Sequence, residues 1–463
     1  MNRINRKQMV VGTAVIIALV LIVSLFVIRI GVADNGMQYK LLEKLGLYDA
    51  YQTSGTGYYS EGYGIADKSF SGTTYGLIYD FAKQFFAVDT VLFTALPAII
   101  YLLIFVLSAM LIIYTLYSDK FVALNWISFV LLILVFCDSA YIAYFNTPYK
   151  NAAFFVYFIA TLALFINTVK TKKILPLIFF GIFGCLFGGV SVVSSVTAII
   201  LGVFALRIMS LNSKILWKIT TAVLCLAIVT SGVAGILSNE FDYYDSVFYG
   251  AALEDDSAIE KLGLDVGLKE YSGVPSFDEK AQQFINSSEY NELFYSKISI
   301  GKVLEYYIKN VPDFYKGIKK VAYNSTSIRT SYLGGYTAST GKASQNSDFF
   351  TIYSSVKSKA FPGSVIVFLI VLGALVVVSF TYRNNYAKNI YDKLISEFCA
   401  VIAIATAITY PLPYLFNGMT QIGFNMFEFN LMFDVCVYML VLSTVNLLMT
   451  KKNILKEKYG VNQ

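Results

Sequence analysis

The sequence predicts an all-α polytopic membrane protein with about ten transmembrane helices and a small mixed extracytoplasmic domain. Three observations carry this expectation. Of 463 residues, 57% are apolar and only 14% are charged, against about 25% charged in a soluble domain. The mean hydropathy is +0.62. The apolar residues also fall in blocks of roughly 20, the length that crosses a bilayer core as a helix. Together they exclude a soluble enzyme, a nucleic-acid-binding domain and a disordered tail.

The blocks place helices near 9–30, 91–117, 121–143 and 152–169, then near 215–237, 363–382, 394–415 and 425–449. The stretch 174–206 is long for one span and short for two. Its flanks decide the count: Lys170, Lys172 and Lys173 precede it, and Arg207, Lys214 and Lys218 follow. Basic loops belong on one side of a membrane, so the segment goes out and back, turning near GGVSVVSS at 188–195. The first block, after MNRINRKQ, resembles a signal peptide, but VADNG lacks a small-x-small cleavage site, so a retained anchor is expected.

Charge orients the spans. The segments 1–8, 118–120, 170–173, 207–218, 383–393 and 451–463 hold 17 Lys/Arg against three acids, whereas 31–90 and 238–361 hold 17 against 23. Both termini are therefore expected in the cytoplasm and both long segments outside. This divides the chain into a seven-span module, 1–237, carrying the outer loop 31–90; an extracytoplasmic domain, 238–361; and a three-span module, 362–463. Loop 31–90, rich in Gly, Ser and Tyr, is expected to lie over the membrane without an independent core. Within 300–323 the pattern predicts two amphipathic helices broken at Asn310-Val311-Pro312, with Pro312 in the first turn of the second. The stretch 330–355 reads as loop or short strand.

The inventory limits the chemistry. There is no histidine, so there is no imidazole base, no His-ligated metal and no serine triad. All five cysteines lie in apolar stretches, which leaves neither an external disulfide framework nor a thiolate cluster. Ionisable residues inside spans are costly and therefore informative; here they are Arg29, Asp138, Glu397, Glu428 and Asp434. Arg29 and Asp34 stand where the first span emerges in RIGVADNG. A cation there would neutralise a departing lipid phosphate while a carboxylate deprotonates an acceptor hydroxyl. Read structurally, the same pair is a snorkelling arginine beside an ordinary loop acid. Asp138, in CDSAYIAYFN, is either a paired structural acid or the floor of a polar cavity. Tyr58-Tyr59, Tyr63, Tyr243-Tyr244 and Tyr306-Tyr307 offer faces that stack on sugars, or an interfacial belt.

The order of these parts, a cytoplasmic N-terminus, one span and an acid in the first outer loop, resembles the GT-C superfamily of membrane glycosyltransferases. The stretches RIGVADNG (29–36), AYFNTPYKN (143–151), FYGAALEDDSAIEKLGL (248–264), YIKNVPDFY (307–315) and RTSYLGGY (329–336) resemble a narrower group, the bacterial WsfD-type hexose transferases of cell-surface glycan synthesis. The chain departs from that pattern in three places. Met37 stands where an acid follows DNG, TPYKNAA replaces a Glu-Pro pair, and Gly335 replaces Asn in the YLGNY-like element.

The resemblance implies inverting transfer of a hexose from a polyprenyl-phosphate sugar to a cell-surface glycan or teichoic acid on the outer face of a bacterial plasma membrane. Asp34 is then the catalytic base. Arg29 and Arg329 meet the lipid phosphate, since guanidinium matches phosphate oxygens bidentately. Asn35, Asp138, Tyr144, Asn146 and Tyr332 complete the substrate-binding set. No cofactor and no obligatory metal are expected, although Asp34 with a second carboxylate could hold a divalent ion. The implied partners are membrane lipids, a polyprenyl-phosphate sugar synthase and a flippase, with no nucleic acid. The competing readings are a polysaccharide polymerase or ligase using lipid-diphosphate glycans, a transporter or flippase for lipid-linked glycans, and an envelope scaffold.

Overall fold

Among the described residues ten apolar helices build the bundle, and their bounds follow from where apolar runs meet turns. In the computed structural model, which describes residues 5–88, 90–238, 241–330, 333–361 and 363–459, they are α1 (Arg6–Ile22), α2 (Ala95–Leu116), α3 (Val122–Phe136), α4 (Lys150–Thr171), α5 (Ile174–Gly188), α6 (Val192–Ala205), α7 (Ile215–Ser238), α8 (Val365–Asn385), α9 (Ile390–Thr409) and α10 (Phe427–Tyr459). Among the described residues, eight helical stretches are long and apolar enough to cross a membrane. The α3 region adds a bent ninth, and α5 is a shorter apolar helix. This is a multi-pass helical membrane protein.

Burial separates inner from outer helices. In α4, 89% of the most apolar window is buried, against 22% in α8 and 28% in α1 and α7. A helix apolar all round belongs at the centre of a bundle or in lipid; α4 takes the first place and the others the second. Val15, Leu19, Leu103, Leu107, Leu226 and Ile370 are among the many large apolar side chains exposed on these helices, as lipid-facing positions require. Inside, Phe165 of α4 stacks on Phe398 of α9 with ring centroids 4.0 Å apart.

One sequence expectation changes here and another is met. The single span expected over 121–143 is broken: α3 stops at Phe136, and Ser139–Asn146 continues at 49° to it. Asp138 causes the new start, because its side chain accepts the amide hydrogen of Ala140 at 2.9 Å, the local bond that makes Asp a helix initiator. The 174–206 stretch divides into two helices where expected, within 188–195: the break falls at Gly189–Ser191, where the Ser191 side chain accepts from the Ser194 amide.

The stretch 330–355, read as loop or short strand, is without strands in its described residues, and strands occur in the first long segment instead. The described residues of 241–361 form only helices and turns, whereas Leu47–Tyr48, Gly62–Ile65 and Val91–Phe93 make a three-stranded antiparallel sheet. Segment 31–90 thus has structure of its own. Under the sheet, Lys83 and Asp80 pair at 3.0 Å, both almost fully buried. The Lys83 ammonium also donates to the carbonyls of Leu45 and Ser69, so the buried charges are paired and hydrogen-bonded, as burial demands. The amphipathic helices Ile300–Lys309 and Val311–Asn324 meet at Asn310, with Pro312 at the start of the second.

Asp245 lies on the short helix Tyr243–Ser246 and accepts from the Ser276 amide and hydroxyl at 2.7 and 2.6 Å. Burial, reinforced by the neighbouring Asp242 carboxylate, raises its pKa from 3.8 to about 6. The folded state therefore binds this proton more tightly than the unfolded chain. Stability from this group is complete below pH 3.8 and is lost as pH rises through about 6. Thermal unfolding in detergent should show the midpoint falling between pH 4 and 6 by the equivalent of at most about 3 kcal/mol. The slope should flatten in Asp245→Asn; an unchanged slope would assign it to other carboxylates.

Candidate functional site

Asp34 sits at one end of the bundle, where the widened turn Val23–Val27 closes α1. The last carbonyls of a helix lack intrahelical donors. Here the Asn146 amide supplies two, to the Leu25 and Ile30 carbonyls at 3.0 and 2.8 Å. Asn146 is buried, and both its N–H groups are committed to this task. The chain then runs extended, and residues 31–33 pair with 334–335: the Gly31 amide donates to the Gly335 carbonyl at 3.0 Å and the Ala33 amide to the Gly334 carbonyl at 2.8 Å. Two segments three hundred residues apart in sequence become neighbours.

Asp34 itself turns the chain. One carboxylate oxygen accepts from the Gly36 and Gln38 amides at 2.8 and 3.1 Å, and the other from the Ser54 hydroxyl. Gly36 adopts φ +85°, open to glycine at no steric cost. Asn35 is fastened on two sides. Its side-chain amide donates to Gln421 Oε1 at 2.6 Å, Gln421 Nε2 returns a bond to the Asn35 carbonyl, and Tyr149 donates to the Ala33 carbonyl and Asn35 Oδ1. Beside this knot opens a cavity of about 600 Å³. Asn35, Gln421, Asn324 and Thr330 give it polar walls, and Met37, Met419 and Phe277 apolar ones.

The other expected residues are placed as follows. Arg29 has φ +57° and a half-exposed side chain whose ion-pair partner is Glu61, at 3.2 Å, instead of a group beside Asp34. Arg329 is nearly buried; its Nη2 reaches the Ser347 carbonyl at 3.3 Å, and among the described residues Nη1 has no hydrogen-bond partner. Burial pushes this guanidinium below its ordinary pKa, while Tyr144 and Asp138 oppose that shift. Tyr144 is buried against Phe427, centroids 4.5 Å apart. Asp138 is fully buried and does not line the cavity; besides Ala140 it accepts from the Ser354 amide and hydroxyl. Tyr332 lies outside the described residues.

Sequence reasoning missed Gln421, Ser54 and Lys357. Lys357, on the helix Ile352–Ala360, is 2% exposed and enters the bundle to meet Asp434 and Asn430, each at 2.7 Å. The only signal was Asp434 itself, a carboxylate in mid-span that must have a partner. Among the described residues no group of three or more Cys, Asp or Glu could hold a metal ion.

Gly335 has a steric reason. A Cβ there would stand 2.8 Å from Asn346 Oδ1 and 3.1 Å from Arg329 Nη1. Gly335→Asn should therefore cost about 1–3 kcal/mol through overpacking, read as a lower thermal midpoint in detergent. Adding Asn346→Gly should recover most of the loss; a single variant as stable as wild type would show that Asn346 yields freely.

No curated protein and no solved structure matches the chain. The family described as the YfdI N-terminal transmembrane domain matches residues 1–461. With nearly the whole sequence covered and a bundle of apolar helices to match, the chain belongs to the YfdI N-terminal transmembrane domain family.

Proposed function

We propose that the protein is an inverting membrane glycosyltransferase that moves a hexose from a polyprenyl-phosphate sugar to a cell-surface glycan or polymer. In this reading the chain crosses a bacterial plasma membrane ten times, both termini are cytoplasmic, and the Asp34 end faces outward. The observation that carries it is that Asp34, anchored by the pairing of residues 31–33 with 334–335, is followed directly by Asn35, Gly36 and Met37 in the wall of a cavity of about 600 Å³ with mixed polar and apolar lining. Amide side chains suit sugar hydroxyls, and methionine and phenylalanine suit a sugar face or an isoprenoid.

The reaction is written on these groups. Asp34 accepts the proton of the acceptor hydroxyl, whose oxygen bonds to the anomeric carbon as the carbon–oxygen bond to phosphate breaks. The electron pair leaves on the lipid phosphate, through an oxocarbenium-like transition state. The Ser54 hydroxyl already donates to Asp34, the geometry an incoming acceptor hydroxyl needs. Among the described residues Arg29 is held by an exposed pair with Glu61, an interaction of small worth, so it can turn to the departing phosphate. Arg329, with Nη1 uncommitted among the described residues, braces the same end from below.

The test is transfer of radiolabelled hexose from a synthetic short-chain polyprenyl-phosphate hexose, using purified full-length protein and a cell-envelope acceptor. Label in the acceptor supports the proposal. No transfer across several hexoses, or transfer only of glycans carried on a lipid diphosphate, overturns it in favour of a polymerase or ligase.

A further inference from the structure

At the end of the bundle opposite Asp34 lies a second cavity, of about 390 Å³, which the proposed transfer does not use. Met9, near the start of α1, lines it. The twenty residues from Met9 to Arg29 put it about 30 Å from the other site. It runs beside α3 from Asn125 to Phe136 and beside α10 from Val435 to Asn446, a rise of about 16 Å along each helix. Ile112, Leu124, Ile159, Phe398 and Leu442 make its walls apolar. By liquid-water packing the volume holds roughly a dozen methylene-sized groups, one hydrocarbon chain in an elongated slot.

The polar groups differ in whether they are partnered. Ser128 and Tyr438 satisfy each other, hydroxyl to hydroxyl at 2.7 Å. Thr115 Oγ1 and Ser379 Oγ both line the cavity and are buried, and among the described residues neither has a hydrogen-bond partner. Ser and Thr in apolar helices usually bond back to a carbonyl one turn earlier, as Ser108 does to Ile104. Buried hydroxyls left without partners call for oxygen-bearing atoms of a ligand or water. At the rim, the Lys170 ammonium donates to the Thr115 carbonyl. Outside the lining but within electrostatic reach of Lys170, the Arg6 guanidinium lies over the rings of Tyr114 and of the lining residue Tyr117, 5.4 and 5.3 Å from their centroids, with Nε unpartnered among the described residues. Asp392 is the single acid in the lining.

We propose that this cavity binds one anionic phospholipid. An acyl chain occupies the slot between α3 and α10, ester oxygens take hydrogen bonds from Thr115 and Ser379, and the phosphate meets Lys170 and Arg6. Thr115 carries both the unpartnered hydroxyl and the carbonyl that Lys170 meets, so the ester-binding and phosphate-binding groups are neighbours, as ester and phosphate are along a lipid. The site would tie the inner ends of α3 and α10 to the leaflet that holds the chain's basic turns.

The full chain, purified in dodecyl maltoside and mixed with equal amounts of dioleoyl phosphatidylglycerol and dioleoyl phosphatidylcholine, tests this by native mass spectrometry. The expected result is one retained phosphatidylglycerol, favoured about thirtyfold over phosphatidylcholine, as the two cations Lys170 and Arg6 imply. Ser379→Phe should abolish retention by filling the slot. Lys170→Gln should keep a bound lipid but cut the preference to about fivefold. If Ser379→Phe gives no folded protein, Ser396→Phe, which blocks the rim, replaces it. Wild type that retains no lipid, or a slot-filling variant that retains it as well as wild type, overturns the proposal. Equal retention of the two lipids overturns its anionic headgroup.

Discussion

Asp34→Asn is expected to lower hexose transfer at least about a hundredfold, the scale of losing a positioned general base, while leaving the fold intact. The geometry separates these effects. The two amide hydrogens that hold the turn, from Gly36 and Gln38, end on one oxygen of Asp34, and the carbonyl oxygen of Asn can accept both. The second oxygen receives the Ser54 hydroxyl; in Asn that site becomes an N–H₂ group, which cannot accept a proton. The thermal midpoint in detergent should therefore move little in Asp34→Asn. It should move more in Asp34→Ala, which strands two amide donors at about 1 kcal/mol each. Equal transfer by Asp34→Asn and wild type would remove this residue from the mechanism.

The largest stability effect is expected at Asp434. Its carboxylate is fully buried and is held by the Lys357 ammonium at 2.7 Å and by the Tyr141 hydroxyl. Lys357 is itself bonded to Asn430 at 2.7 Å. Removing one partner leaves an uncompensated charge where water cannot reach it, which costs about 3–5 kcal/mol. Asp434→Ala or Lys357→Ala should thus lower the midpoint of unfolding in detergent by about 5 °C or more. The pair replaced together, Lys357→Met with Asp434→Leu, should return near wild type, because an apolar pair also ends the desolvation penalty. A single variant that unfolds with wild type would show that Lys357 finds water, and the packing of the helix Ile352–Ala360 into the bundle would then rest on other contacts.

Much of the fold was legible because membrane crossing is a local demand. A helix in lipid must satisfy its backbone internally and present apolar side chains over about 20 consecutive residues, so each block declares itself without its neighbours. The break at Asn310 was legible for the same local reason, a proline that starts a helix more readily than it continues one. The kink at Asp138 was not. Hydropathy stays high across 122–146, and only the bond from Ala140 to the Asp138 side chain ends the first helix and begins the next. The sheet in 47–93 was missed because its strands are two to four residues long, too short for an alternating pattern to stand above Gly, Ser and Tyr composition.

The candidate site divides along the same line. Arg29 and Asp34 could be singled out by their place at the end of an apolar run, but not their partners. A charge at a helix end has many neighbours in reach, and Glu61 and Ser54 are chosen by how segment 31–90 folds back. Lys357 reads in the sequence as one more lysine of a polar segment, and burial beside Asp434 alone makes it structural.

By itself, then, the amino-acid order determined a helical membrane protein, the approximate bounds of its apolar helices, the segments that hold its polar residues and the few ionisable groups exposed to scrutiny within it. Tertiary structure alone decided that residues 31–33 lie against 334–335, that Gln421 locks Asn35, and that two cavities open at opposite ends of the bundle. The physical reason is range. Hydropathy and helix-breaking act within one or two turns of chain, whereas a hydrogen bond or a cavity wall requires atoms that only the packing of distant helices brings within a few ångströms.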